Sequence, residues 1–126
     1  MKLDLDCVRS IMLDLEETPY GEFRTTSSII DSLHKKYSPE SIKYALLKLH
    51  EAEYIDAYKL EADGMFPSIE LVLDITFDGH EFLNNVRANK IWEKTCSIAS
   101  SLGVSSIGFV SKIAIGVITE YLKQFI

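Results

Sequence analysis

ITFDGHEFLNNVRANKIWEKT, residues Ile75 to Thr95, reads as a strand ending, a helix cap and a long helix in uninterrupted succession. An alternating apolar run stops at Thr76, whose side-chain oxygen can accept from the free N–H groups of a first helical turn. Asp78, Gly79 and Glu81 suit that turn, because a helix N-terminus favours acceptors and negative charge. The junction divides the chain into 1–76, which ends in strand pairing, and 77–126, which continues as helix, the two forming one structural domain.

Upstream of the junction, Ile69, Leu71, Leu73 and Ile75 alternate with Glu70, Val72, Asp74 and Thr76, the pattern of a strand covered on one face. Residues 55–60 supply its antiparallel partner. Between them Asp63, Gly64 and Pro67 form turns, so a hairpin closes. Three helices precede it. The first spans residues 5–16, capped by Asp4, with Leu5, Val8, Ile11, Met12 and Leu15 at helical spacing and a charged, solvated opposite face. The second follows Thr18-Pro19-Tyr20-Gly21 and the caps offered by residues 25–28, and buries Ile29, Ile30, Leu33 and Tyr37. The third starts at Ser38-Pro39-Glu40, where Ser38 caps, Pro39 fits a position whose N–H has no partner, and Glu40 complements the dipole. Its stripe is Ile42, Ala45, Leu46, Leu49 and Ala52. Three helices followed by a hairpin is the order of a winged helix-turn-helix, an α+β fold.

Downstream, the periodicity predicts one unusually long helix over residues 77–102, ended by Gly103 in the left-handed position. Ser105 or Ser106 caps a last helix over residues 107–125. Ile107, Val110, Ala114, Val117, Ile118, Tyr121 and Phe125 run along one stripe of it, and Gly108 and Gly116 would mark close helix approach. This two-helix extension packs on itself, and the stripe is a candidate homodimer interface, because so large an apolar face is not left exposed on a soluble monomer.

With 126 residues and 47% hydrophobic content, the chain buries one substantial core. Cys7 and Cys96 stand far apart without C-x-x-C spacing and MKLDLD lacks the apolar core of a secretory signal, so the expectation is a reduced, cytoplasmic protein. A membrane span is not expected: the apolar run 104–118 is shorter than the ~20 residues a bilayer requires and holds Lys112 in its middle.

The net charge of -6 repels phosphate backbones, but its distribution is uneven. Residues 24–48 carry Arg24, Lys35, Lys36, Lys43 and Lys48 against Asp31 and Glu40, a balance of +3, while residues 49–81 set nine acids against Lys59, a balance of -8. If DNA is bound, Lys35, Lys36, Lys43, Tyr44 and Lys48 would bind it. That face has no arginine to grip a guanine edge, and the wing carries Glu61, Asp63, Glu70 and Asp74, which repel phosphates and disfavour the DNA reading.

No catalytic constellation stands out. His34 and His50 lack metal-ligand partners, His80-Glu81 lacks the second histidine of a zinc-protease helix, and Asp78, His80 and Glu81 are explained by capping. No cofactor or metal is expected, and the chain reads as a non-enzyme.

LDCVRSIMLDLEE, IKYALLKLHEAEYIDA and ITFDGHEFLNNVRANKIWEKT together resemble the bacterial and phage family called domain of unknown function 2513, over residues 3 to about 100. G-H-E-F-L, V-R and I-W-x-K-T stand at the family's spacing, with Phe77 where a tryptophan is expected. The resemblance implies a small, intracellular, winged-helix-like protein frequent in prophages and Gram-positive genomes, and it offers no catalytic residues. The positions matching its core motif are Gly79, His80, Glu81, Phe82, Leu83, Arg87 and Trp92. Their expected role is structural: Phe82, Leu83, Val86 and Trp92 pack, and His80 and Arg87 pair with acids such as Glu51 or Asp56. The leading functional expectation is an interaction or regulatory module working through an unidentified protein partner. The alternative is a sequence-specific transcription regulator.

Overall fold

The computed structural model describes residues 1–126, and its order is α1 (Leu5–Glu16), β1 (Arg24–Thr25), α2 (Thr26–Leu33), α3 (Pro39–Glu51), β2 (Ile55–Leu60), β3 (Ser68–Ile75), α4 (Phe77–Val86), α5 (Asn89–Leu102) and α6 (Ile107–Leu122). A short 3-10 helix, Lys123–Phe125, extends α6. The fold is α+β, six helices with one three-stranded antiparallel sheet in the order β1-β3-β2.

Local chemistry sets most helix starts. The side chains of Asp4, Thr25, Ser38, Thr76 and Ser106 each accept from the backbone N–H three residues on, satisfying donors that a helix leaves free. Gly103 closes α5 with φ 69°. The end of α3 is less orthodox: Glu53 takes φ 63°, a left-handed conformation, so that Tyr54 N–H can return to the Leu49 carbonyl. Ala52, expected in the α3 stripe, is the exposed cap of that helix.

The expected alternation along β3 is overturned. Register shifts fall between Asp56 and Ala57 and between Tyr58 and Lys59, opposite Leu73 and Glu70, which are extra residues on β3. Each bulge turns the chain by one residue, so the fully buried positions are Ile69, Val72 and Ile75, while Leu71 and Leu73 are only partly covered. Arg24 and Thr25, which read as loop and cap, also form a strand, paired with Val72 and Leu71.

The single long helix over 77–102 does not form. Ala88 adopts extended angles, φ -69° and ψ 127°, and divides it into α4 and α5. The break is held from α1: the Arg9 guanidinium donates to the Val86 carbonyl at 2.7 Å, the Arg87 carbonyl at 2.6 Å and Asn89 Oδ1 at 2.8 Å. Charge-assisted donors thus satisfy the carbonyls that the end of α4 leaves open. The extension is therefore three helices.

One contiguous core joins these parts. It runs from Cys7 and Val8 on α1 through Ile42, Leu46 and Leu49 on α3, Ile75 on β3 and Phe82 and Leu83 on α4 to Val110 and Ala114 on α6. Burial of each Val, Ile, Leu or Phe among them contributes about 1.5–3 kcal/mol, and the division at residue 76 separates segments of sequence that share one interior. No helix is long and apolar enough to cross a membrane.

Candidate functional site

The face expected to meet DNA is formed by the α2–α3 turn, the outer side of α3 and the β2–β3 wing. Of the five residues expected there, Lys35 and Lys36 lie in the α2–α3 turn and Lys43, Tyr44 and Lys48 on α3, and two of the four lysines are engaged. Lys36 approaches Asp6 at 3.5 Å and lies over the Tyr37 ring, and Lys48 pairs with Glu51 at 2.7 Å and lies over Tyr44. Lys43 and Lys35 are exposed and form no ion pair within the chain. The single wing cation, Lys59, pairs with Glu61 at 2.8 Å, which holds that carboxyl below its ordinary range. Paired surface charges project little net field, so the free attraction for phosphate is that of two lysines.

The β2–β3 hairpin is apolar at its tip. Tyr58, Leu60, Met65 and Phe66 are exposed, Phe66 at 95%. Gly64, at φ 78°, turns the chain there, and Met65 N–H closes the turn on the Ala62 carbonyl. Glu61, Asp63 and Glu70 are exposed around these side chains. Isolated exposed apolar residues are ordinary, but here four fall on one short hairpin.

The seven motif positions serve the fold in different ways. Phe82 and Leu83 are buried, and the Phe82 ring stacks on Tyr54 with centroids 5.0 Å apart. Gly79 lies against the chain at Tyr54 so closely that a Cβ there would meet the Tyr54 carbonyl oxygen at 2.0 Å. Glu81 is exposed. The expected pairing of Arg87 with Glu51 or Asp56 is corrected: Arg87 forms a two-pronged ion pair with Glu16 at the end of α1. That guanidinium holds the Glu16 carboxyl below its ordinary range. His80 is likewise exposed and pairs with neither acid; it borders a cleft of about 370 Å³ whose walls include Glu16, Tyr20, Arg24 and Asp74. Within that cleft Glu16 is neutralised by Arg87, and Arg24 by Asp14 at 2.9 Å. Asp78 and Glu81 do not line it.

Trp92 leads to residues that sequence reasoning missed. Its indole N–H donates to Asp6 Oδ1 at 3.1 Å, and the Tyr37 hydroxyl donates to Asp6 Oδ2. The Ser10 and Tyr37 hydroxyls are 2.8 Å apart, and Arg9 lies over the Trp92 ring at 5.7 Å. Burial pushes the Asp6 carboxyl up, but the donors from Tyr37 and Trp92 and the Lys36 charge outweigh it and hold the group below its ordinary range. The opposite face of α1, expected to be merely solvated, therefore ties α1 to α5 and to the α2–α3 turn. Asp6, Arg9, Ser10 and Glu16 recur at helical spacing, and that second, polar stripe was the available signal. Cys7 is buried and Cys96 half-buried, both free; burial and the nearby Asp4 and Asp6 push the Cys7 thiol up to about 12. No group of three or more histidine, cysteine or carboxylate side chains gathers as a metal-binding set.

The α6 stripe divides. Ile107, Val110, Ala114 and Val117 are buried within the chain, where α6 packs on α4 and α5; of the four, only Val117, 7% exposed, lines the surface groove between α5 and α6. Ile118 and Tyr121 are half-buried and Phe125 is exposed. Gly108 and Gly116 face open space, with no atom within 4 Å of an added Cβ, and mark no close helix approach within the chain.

Comparison with known proteins adds a family and a relative. The sequence profile of a family described as "Hypothetical protein (DUF2513)" matches residues 2–105. An uncharacterized protein of Haemophilus influenzae is 27% identical over 124 residues, covering 97% of this chain and 99% of that relative. No solved structure matches.

Proposed function

The chain belongs to the DUF2513 family, and from that premise we propose a winged-helix-type interaction or regulatory module that acts through protein contacts and not through catalysis. Three helices leading into a hairpin, with β1 closing the sheet beside β3, support the winged-helix assignment. The observation that carries the functional reading is the wing: exposed Tyr58, Leu60, Met65 and Phe66 among Glu61, Asp63 and Glu70. Such a surface buries apolar area against a protein, whereas it repels a phosphate backbone.

The test has two arms. Protein captured from host lysate on the full chain, identified by mass spectrometry, should be lost with Met65→Ser plus Phe66→Ser and retained with Lys43→Glu plus Lys48→Glu. Gel shifts with duplex DNA in low salt should show at most weak, salt-sensitive retardation. Tight DNA binding that Lys43→Glu plus Lys48→Glu abolishes would replace this reading with a transcription regulator using the lysine face.

A further inference from the structure

An open groove of about 550 Å³ runs between α5 and α6. Ile98, Ile113, Val117 and Tyr121 form its apolar lining, Gly116 lies on its α6 wall, and Lys94 and Glu120 stand on the facing α5 and α6 walls. We propose that a second copy of this chain covers the groove in a two-fold dimer, with the α5–α6 pair of one copy packed on that of the other.

Three observations select that occupant. First, the rim charges are self-complementary: Lys94 has no ion pair within the chain, Glu120 has only the exposed Lys123 at 3.0 Å, and a two-fold axis through the groove would set Lys94 of each copy against Glu120 of the other. Second, residues 89–126 hold four lysines against Glu93 and Glu120, a balance of +2, so the rest of the chain carries -8. Two copies meeting through the acidic residues 49–81 would bring strongly like-charged surfaces together, a repulsion this face avoids. Third, the open space above Gly116 admits a neighbouring helix, and exposed Leu102 and Phe109 extend the apolar surface along the same two helices. Paired helices that bury such a face form a four-helix arrangement.

Sedimentation equilibrium of the full chain should give a dimer. Gly116→Arg adds a long side chain at the groove from a Cβ that meets no atom within 4 Å, so it should yield a monomer with unchanged circular dichroism. Lys94→Glu should weaken association about tenfold or more, as loss of one charge pair per symmetry-related site predicts, and Lys94→Glu with Glu120→Lys should restore it. A monomer at every concentration, a dimer indifferent to Gly116→Arg, or failure of the charge exchange to restore association would each overturn the proposal. So would co-sedimentation with phosphatidylglycerol vesicles that Gly116→Arg abolishes, since the groove would then face lipid.

Discussion

Replacing Gly79 with alanine tests how α4 is seated on the rest of the molecule. The added methyl would lie 2.0 Å from the Tyr54 carbonyl oxygen, 2.8 Å from Ile75 Cγ2 and 2.9 Å from the Tyr54 carbonyl carbon. The oxygen is not free to retreat, because it accepts from Thr76 N–H at 3.1 Å and the next residue, Ile55, is already paired with Ile75. Relief therefore requires α4 to lift by more than a rotamer change allows, which withdraws Phe82, Leu83 and Val86 from the core. Overpacking costs roughly 1–3 kcal/mol, and each partly exposed core side chain forfeits a share of its ~1.5–3 kcal/mol. Against this, alanine gains about 1 kcal/mol in helix propensity over glycine. The steric effect wins, and the expected net loss is about 3 kcal/mol, a large fraction of the ~5–15 kcal/mol typical of a folded domain. Urea unfolding followed by Trp92 fluorescence should show the midpoint falling by roughly 1–3 M, given slopes of about 1–3 kcal/mol per molar. Gly108→Ala, in open space at the start of α6, should cause no such loss. A Gly79→Ala protein as stable as the parent would refute the claim that the Tyr54 carbonyl fixes α4.

Two further outcomes are expected. Asp6 has a folded-state pKa below its unfolded value, so the stability it contributes is present above the unfolded value near 4 and is lost as pH falls through the folded one; Asp6→Asn should destabilise at neutral pH and flatten this part of the acid limb in denaturation curves collected from pH 7 to 2. Thr95 is fully buried with its hydroxyl unpartnered, so Thr95→Val, which keeps the shape and removes the unsatisfied group, should raise stability by about 1 kcal/mol in the same urea assay, and a decrease would mean the hydroxyl has a partner.

What the sequence disclosed and what it hid divide along a physical line. Caps at Asp4, Ser38, Thr76 and Ser106 act over three residues, so their chemistry is written locally and the helix starts were legible. The bulges on β3 depend on how that strand registers against β2, which an alternating pattern cannot express. The break at Ala88 was hidden for a similar reason: nothing in NVRANK forbids a helix, and the donor that satisfies the interrupted carbonyls is Arg9, some 77 residues away in sequence. The candidate surfaces show the same division. Acidity of the β2–β3 hairpin was countable, but the pairing of Lys36 with Asp6 joins the α2–α3 turn to α1, and only the fold reveals how little of the basic patch remains free.

The polar stripe of α1 ties the C-terminal helices to the elements around the sheet. Arg9 holds the α4–α5 break, Asp6 holds Trp92 of α5 and Tyr37 of the α2–α3 turn, and Glu16 holds Arg87. Exposed ion pairs alone contribute little, but here they sit beside a continuous apolar core and fix the angle at which α5 leaves α4. That angle in turn determines where α6 folds back, and so which of its residues are buried and which line the groove. The apolar wing tip lies on β2, β3 and their connecting loop, elements apart from the groove between α5 and α6. A partner on the wing and a second copy on the groove would therefore use separate side chains, so that blocking the groove with Gly116→Arg should leave capture by Met65 and Phe66 intact except for any contribution from two linked binding sites.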